Sequence, residues 1–190
     1  MENNFELTKS NIFENLDGLI IGRKHFYVLK IFYEDTDAGN IVYHSNYLKY
    51  FERARSSLLK LIKIDPLYLK EEDIFIVVRK AEIDWYKPAK LNDILLIKSC
   101  LKYAKNSSIT LDQRAYRYCD NIKSYELLVS GVIKIVAINS IFKVKRIKLI
   151  LNNSFFQEWA IKLTTKRFKV MTPEVKTEII SNGPDLSILG

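Results

Sequence analysis

Fifteen residues, Tyr33 to Tyr47, hold three acids (Glu34, Asp35 and Asp37), Gly39 and His44, one of two histidines in the chain. Carboxylates and imidazoles are the groups that move protons or attack carbonyl carbon near neutral pH. An apolar stretch precedes the segment and a helical pattern follows it. The polar groups therefore crowd a strand-to-helix junction, where a rigid scaffold can hold chemistry in place. Asp37 falls in a tight loop just before the helix start, whose free amides and positive dipole end favour negative charge. An acyl carbonyl placed there would be polarised, its developing oxyanion held by those donors. A carboxylate beside it can attack the carbonyl or activate a water. His44 could position the carbonyl or the water, and Tyr33 could orient groups through its hydroxyl. Each residue also has a plainer reading. An Asp before a helix closes turns, a single His packs, and a Tyr at a strand end packs. Residue types alone leave both readings open.

Other chemistries are absent. There is no P-loop, no G-x-G-x-x-G and no G-x-S-x-G elbow. Two histidines, His25 and His44, exclude a multi-histidine metal site. No metal or redox cofactor is expected. Cys100 and Cys119 stand alone without C-x-x-C spacing, as thiols in a reducing compartment do.

The elements around the loop follow from periodicity. His25–Tyr33 is aromatic and β-branched and predicts a strand. Gly39-Asn40 supplies a turn able to take positive φ. Ser45 or Asn46 is a suitable N-cap, and apolar residues from Tyr47 to Lys63 recur at helical spacing. Ile64-Asp65-Pro66 ends that helix. Four strands are predicted next, over 74–86, 93–102, 108–118 and 125–137, with short meander-like links. Strand, long helix and sequential strands make an α+β order with an antiparallel sheet. A basic amphipathic helix is predicted over 152–167, followed by a tail. The domains expected are an N-terminal extension over 1–24, a central domain over 25–150 and a C-terminal helix and tail over 151–190.

Composition sets the remaining bounds. The 190 residues suit one domain, and 48% hydrophobic residues can fill its core. No apolar run reaches the roughly 18 residues a transmembrane helix needs, and the acidic start Met1–Glu6 is unlike a secretory signal. The net charge is +8. Residues 1–140 contribute 21 basic against 18 acidic side chains, and residues 141–190 contribute 9 against 4. The excess is thus concentrated at the C-terminal end, which suits an anionic ligand or surface or simply a solvated face.

The run Tyr33–Tyr47, followed by Phe51-Glu52-Arg53-Ala54-Arg55, resembles the signature of the hot-dog-fold acyl-CoA thioesterases. It is most like the YbgC-type branch associated with the Tol–Pal system and related to 4-hydroxybenzoyl-CoA thioesterase. Val77–Asp93, with its Pro88-Ala89 turn, resembles the family's second strand. The resemblance covers roughly residues 25–150. It implies a hot-dog fold, a long central helix wrapped by a curved antiparallel sheet, in a homodimer or homotetramer. It implies hydrolysis of acyl-CoA or acyl-carrier-protein thioesters, with short-chain or aromatic acyl groups expected. It puts the catalytic carboxylate on Asp37 and supporting roles on His44 and Tyr33. Coenzyme A is then part of the substrate, and no separate cofactor is implied. A cytoplasmic enzyme, at most peripheral to the inner membrane or a cell-envelope complex, follows from the same resemblance. The family usually carries a second glycine where this chain has Asn40, and Asn tolerates the left-handed conformation such a turn needs. Two rivals stand beside it. A lyase on the same fold would use Glu52 with His44. A non-catalytic basic scaffold or membrane- or nucleic-acid-binding protein would use the positive charge and the Tyr116-Arg117-Tyr118 stretch.

Overall fold

The computed structural model describes residues 16–119 and 124–161. Six antiparallel strands form a single sheet: β1 (Leu19–Ile21), β2 (Lys24–Lys30), β3 (Phe75–Trp85), β4 (Ile94–Lys105), β5 (Ser108–Cys119) and β6 (Ser124–Ile138). Their spatial order is β1-β2-β4-β5-β6-β3. The long helix α1 (Asn46–Leu61) packs against this sheet. Short helices α2 (Pro66–Glu71), α3 (Lys148–Leu151) and α4 (Ser154–Ile161) follow. The expected α+β architecture is present.

The hydrophobic pattern of α1 accounts for its placement. Tyr47, Tyr50, Phe51, Ala54 and Leu58 share one face and are all buried, the spacing that makes a helix amphipathic. The first half of that face packs on Leu95, Ile97, Ala115 and Ile133 of the sheet. The second half joins a separate cluster with Ile109, Leu111, Ile147, Phe156 and Trp159. Gly131 of β6 lets helix and sheet approach closely, because a Cβ there would lie 2.7 Å from Ile83 Cδ1 and 2.9 Å from Phe51 Cε2.

Several expectations are corrected. The links are meander-like only for β4–β5–β6. β3 instead runs to the far edge and pairs with β6, while β4 pairs with β2. Segment 86–93 therefore crosses the sheet rather than closing a hairpin. Part of the expected N-terminal extension belongs to the sheet, as β1 pairs with β2 through a turn in which Gly22 has φ 59°. The strand predicted over 25–33 ends at Lys30, and Tyr33–Asp35 is a 3₁₀ turn. The Asp35 carboxylate closes that turn by accepting from the Phe32 amide at 2.9 Å. α1 ends at Leu61, earlier than the Lys63 expected, and Lys63 at φ 57° turns the chain into Ile64-Asp65-Pro66. The same triplet starts α2, where Asp65 Oδ1 accepts from the Leu67 amide at 2.8 Å and Pro66 takes the first turn. The helix predicted over 152–167 is present as α4. Its remainder and the tail lie outside the described residues.

Candidate active site

The Asp37 loop is built by local hydrogen bonds. Asp37 Oδ1 accepts from the Gly39 amide at 2.8 Å, and the Asp37 carbonyl accepts from the Asn40 amide at 2.9 Å. The Asp37 amide donates to the Ile41 carbonyl at 3.0 Å. Asn40 takes the left-handed conformation with φ 58°, so asparagine meets the demand the turn makes. Gly39 matters for space instead, since a Cβ there would stand 3.1 Å from Asp37 Oδ1. The plain reading of Asp37 as a turn former is thus correct for one oxygen. Oδ2 keeps no hydrogen bond among the described residues and remains free for chemistry.

Two anchors fix this loop to the scaffold. The Asp35 carbonyl accepts from the Tyr43 amide at 3.0 Å and from Asn46 Nδ2 at 2.8 Å, which ties the turn to the first residue of α1. The Val42 amide donates to the Ala89 carbonyl at 2.9 Å, which ties it to the crossing segment. The Ala89 amide in turn donates to the Tyr47 hydroxyl at 2.9 Å. Burial raises the Tyr47 pKa above its ordinary value, so that hydroxyl is neutral. Ser45 stands at the N-cap with no side-chain hydrogen bond, and the first turn of α1 is not capped by its own side chains.

These parts surround a cleft of about 300 Å³ lined by Asp37, Ile41, Val42, His44, Tyr47 and the segment Trp85–Pro88. Asp37 is half-buried and His44 exposed. The Trp85 indole N–H donates to the His44 carbonyl at 3.3 Å, and its ring meets the His44 ring edge-on. Of the three residues singled out by sequence, Asp37 and His44 share the cleft. Tyr33 does not line it and is 81% exposed, with its carbonyl accepting from Thr36. Trp85, Tyr86 and Tyr47 were not foreseen as site residues. Only the family-like turn at Pro88-Ala89 hinted that this remote segment would form a wall.

Particular residues invoked for the rivals are placed elsewhere or already engaged. Glu52 lines a different cavity from His44 and accepts from the Ser56 hydroxyl at 2.6 Å. Tyr116 is buried, and Arg117 bridges Asp93 and Glu126, which hold its guanidinium above its ordinary pKa. Neither offers a free stacking or phosphate-binding surface. Among the described residues no group of three or more His, Cys, Asp or Glu could hold a metal, and no helix is long and apolar enough to cross a membrane.

Residues 33–140 match the family described as the thioesterase-like superfamily. The chain belongs to that superfamily. Its thioesterase-like domain is 37% identical over 86 residues to an acyl-CoA thioester hydrolase YbgC of Escherichia coli O157:H7, covering 45% of this chain and 64% of the relative. It is 40% identical over 87 residues to an acyl-CoA thioesterase YbgC of Helicobacter pylori, covering 46% and 63%. The match spans just under two thirds of these relatives' own length. Among solved structures, a probable thioesterase from Bartonella henselae superposes with a TM-score of 0.59 at 28% identity, over 65% of this chain and 98% of that one. A 4-hydroxybenzoyl-CoA thioesterase superposes with a TM-score of 0.60 at 16% identity, over 65% and 91%, and so shares the fold. The thioesterase-like domain has the hot-dog architecture expected from its motif.

Proposed function

We propose that this protein hydrolyses the thioester bond of acyl-CoA, releasing a carboxylic acid and coenzyme A. The supporting observation is the half-buried Asp37, with one carboxylate oxygen unengaged, in a cleft shared with His44 at the uncapped start of α1. The substrate carbonyl oxygen lies against the amides around Tyr43–Ser45, of which Tyr43's already donates to the Asp35 carbonyl, leaving those of His44 and Ser45 to stabilise the oxyanion. Two routes fit. In one, Asp37 attacks the carbonyl carbon, the C–S bond breaks, coenzyme A leaves as thiolate, and water cleaves the resulting anhydride. In the other, Asp37 takes a proton from a water that attacks in its place. His44 positions the carbonyl or the water. Tyr33 is kept as a supporting residue that reaches substrate from the rim. The relatives' names and the family match support the acyl-CoA substrate, and acyl-carrier-protein thioesters belong to the same reading.

The proposal includes a homodimer or homotetramer formed by joining sheets. Its support is β3, an edge strand of eleven residues whose outer side pairs with nothing among the described residues. It also includes a cytoplasmic location, with attachment to the inner membrane or the Tol–Pal complex through the basic C-terminal region.

The test is thiol release from short-chain, long-chain and aromatic acyl-CoA by the wild type and by Asp37→Asn. Asn keeps an oxygen for the Gly39 amide, so the turn survives while the carboxylate is lost. Hydrolysis in the wild type and its loss in the variant are expected. Unchanged activity would remove Asp37 from its role, and no activity in either folded protein would overturn the thioesterase reading.

A further inference from the structure

The second half of α1 borders a larger cavity, about 480 Å³, which shares no lining residue with the Asp37 cleft. That volume falls within the roughly 300–1,000 Å³ of small-molecule pockets. Its lining is largely apolar, and Leu58, Ile109 and Leu111 form one wall. Phe156 and Trp159 of α4 form another, contributed by a segment beyond the family match, which ends at residue 140.

Four polar residues line this cavity: Glu52, Arg55 and Ser56 sit together on α1, and Lys70 comes from α2. Positions three and four apart share a helix face. Arg55 Nη1 donates to Gln113 Oε1 at 2.8 Å. A guanidinium has five N–H donors, and Arg55 enters no ion pair among the described residues. Burial disfavours its charge and lowers its pKa, and the nearby Glu52 charge offsets this only in part. The nearest acid in sequence, Glu52, is exposed and engaged by the Ser56 hydroxyl. Trp159 is 3% exposed, and its indole N–H finds no acceptor among the described residues. An apolar chamber with an under-neutralised guanidinium on its wall is complementary to an amphiphile with an anionic head.

We propose that this cavity binds a long-chain carboxylate, its alkyl chain against Leu58, Phe156 and Trp159 and its carboxylate on Arg55. The planar guanidinium and carboxylate match in geometry and form charge-assisted hydrogen bonds. The site is separate from Asp37, and the proposal does not depend on the thioesterase reading.

The chain has two tryptophans, and each lines one cavity: Trp85 the Asp37 cleft and Trp159 this one. Trp85→Phe leaves emission that reports this cavity, and Trp159→Phe leaves emission that reports the cleft. Full-length protein is titrated with decanoate. A saturable emission change is expected in Trp85→Phe, none with acetate, and affinity weaker by about tenfold or more with decylamine. Arg55→Gln in the Trp85→Phe background should weaken decanoate by a similar factor. Ser56→Phe, an exposed position on the lining, should block it while leaving the Arg55–Gln113 bond intact. No saturable change in Trp85→Phe, equal binding of decylamine, or a response confined to Trp159→Phe would overturn the proposal.

Discussion

The two ends of α1 face cavities of opposite character. At its start, a cleft of about 300 Å³ is shaped by turns, and its hydrogen bonds run mostly between residues close in sequence. At its far half, a chamber of about 480 Å³ is shaped by apolar side chains drawn from helices and strands between residues 52 and 159. Both halves of the helix are buried in apolar clusters, but the cleft at the first end brings Asp37 and His44 together whereas the chamber at the second is walled mainly by apolar side chains. Substitutions in the two cavities should therefore move different observables.

The largest expected effect is on rate. Asp37→Asn should lower thioester hydrolysis by about 10²- to 10⁴-fold, the usual worth of a positioned acid–base group. Its urea midpoint should match the wild type, because the bond to Gly39 is kept. A large loss of stability would mean that the loop carries more of the fold than its open geometry suggests. At the opposite end, Phe156→Ala removes a buried ring from the second cluster. It should cost about 3–5 kcal/mol in urea unfolding while the folded fraction keeps its turnover. A collapse of turnover in folded protein would show that the two ends are coupled.

Between them lies Gly131. Gly131→Ala pushes a methyl into Ile83 and Phe51, and overpacking of this kind costs about 1–3 kcal/mol. Because it lifts the middle of α1 from the sheet, it should lower stability and rate together, as paired denaturation and kinetic measurements would show. The smallest effect belongs to His25, fully buried with Nε2 2.9 Å from the Asp17 carbonyl and Nδ1 unpartnered. Burial lowers its pKa below the ordinary 6.5, so the unfolded chain binds the proton more readily than the folded one. Its contribution to stability is complete above pH 6.5 and is lost as pH falls through the lowered value. Urea midpoints measured from pH 7.5 downward should decline below about 6.5, by at most about 1.4 kcal/mol per pH unit for this one proton. His25→Gln should flatten that decline.

Much of this molecule is legible in the order of its residues. Helix α1 and the four long strands follow from periods of 3.6 and 2, because one face of each must be buried. The Asp37 loop was legible for a related reason. Its acids, glycine and helix start are neighbours in sequence, and short-range hydrogen bonds set their geometry. Less legible were β1 and α2, which are too short to show a period, although Asp65-Pro66 carried a capping signal. The end of β2 was misplaced because Asp35 closes a turn on Phe32 through its side chain, a bond that apolar patterning does not reveal.

The sequence by itself determined the long helix and the four long strands, the turn that presents Asp37, and the family to which residues 33–140 belong. Tertiary structure decided what stands opposite that turn. The placement of β3 beside β6 sends residues 86–93 across the sheet and brings Trp85 onto His44. It also decided that Glu52 and Arg55 face a separate chamber walled by α4. These are contacts between residues tens of positions apart, set by how buried faces fill space together, and no local pattern of residue types encodes them.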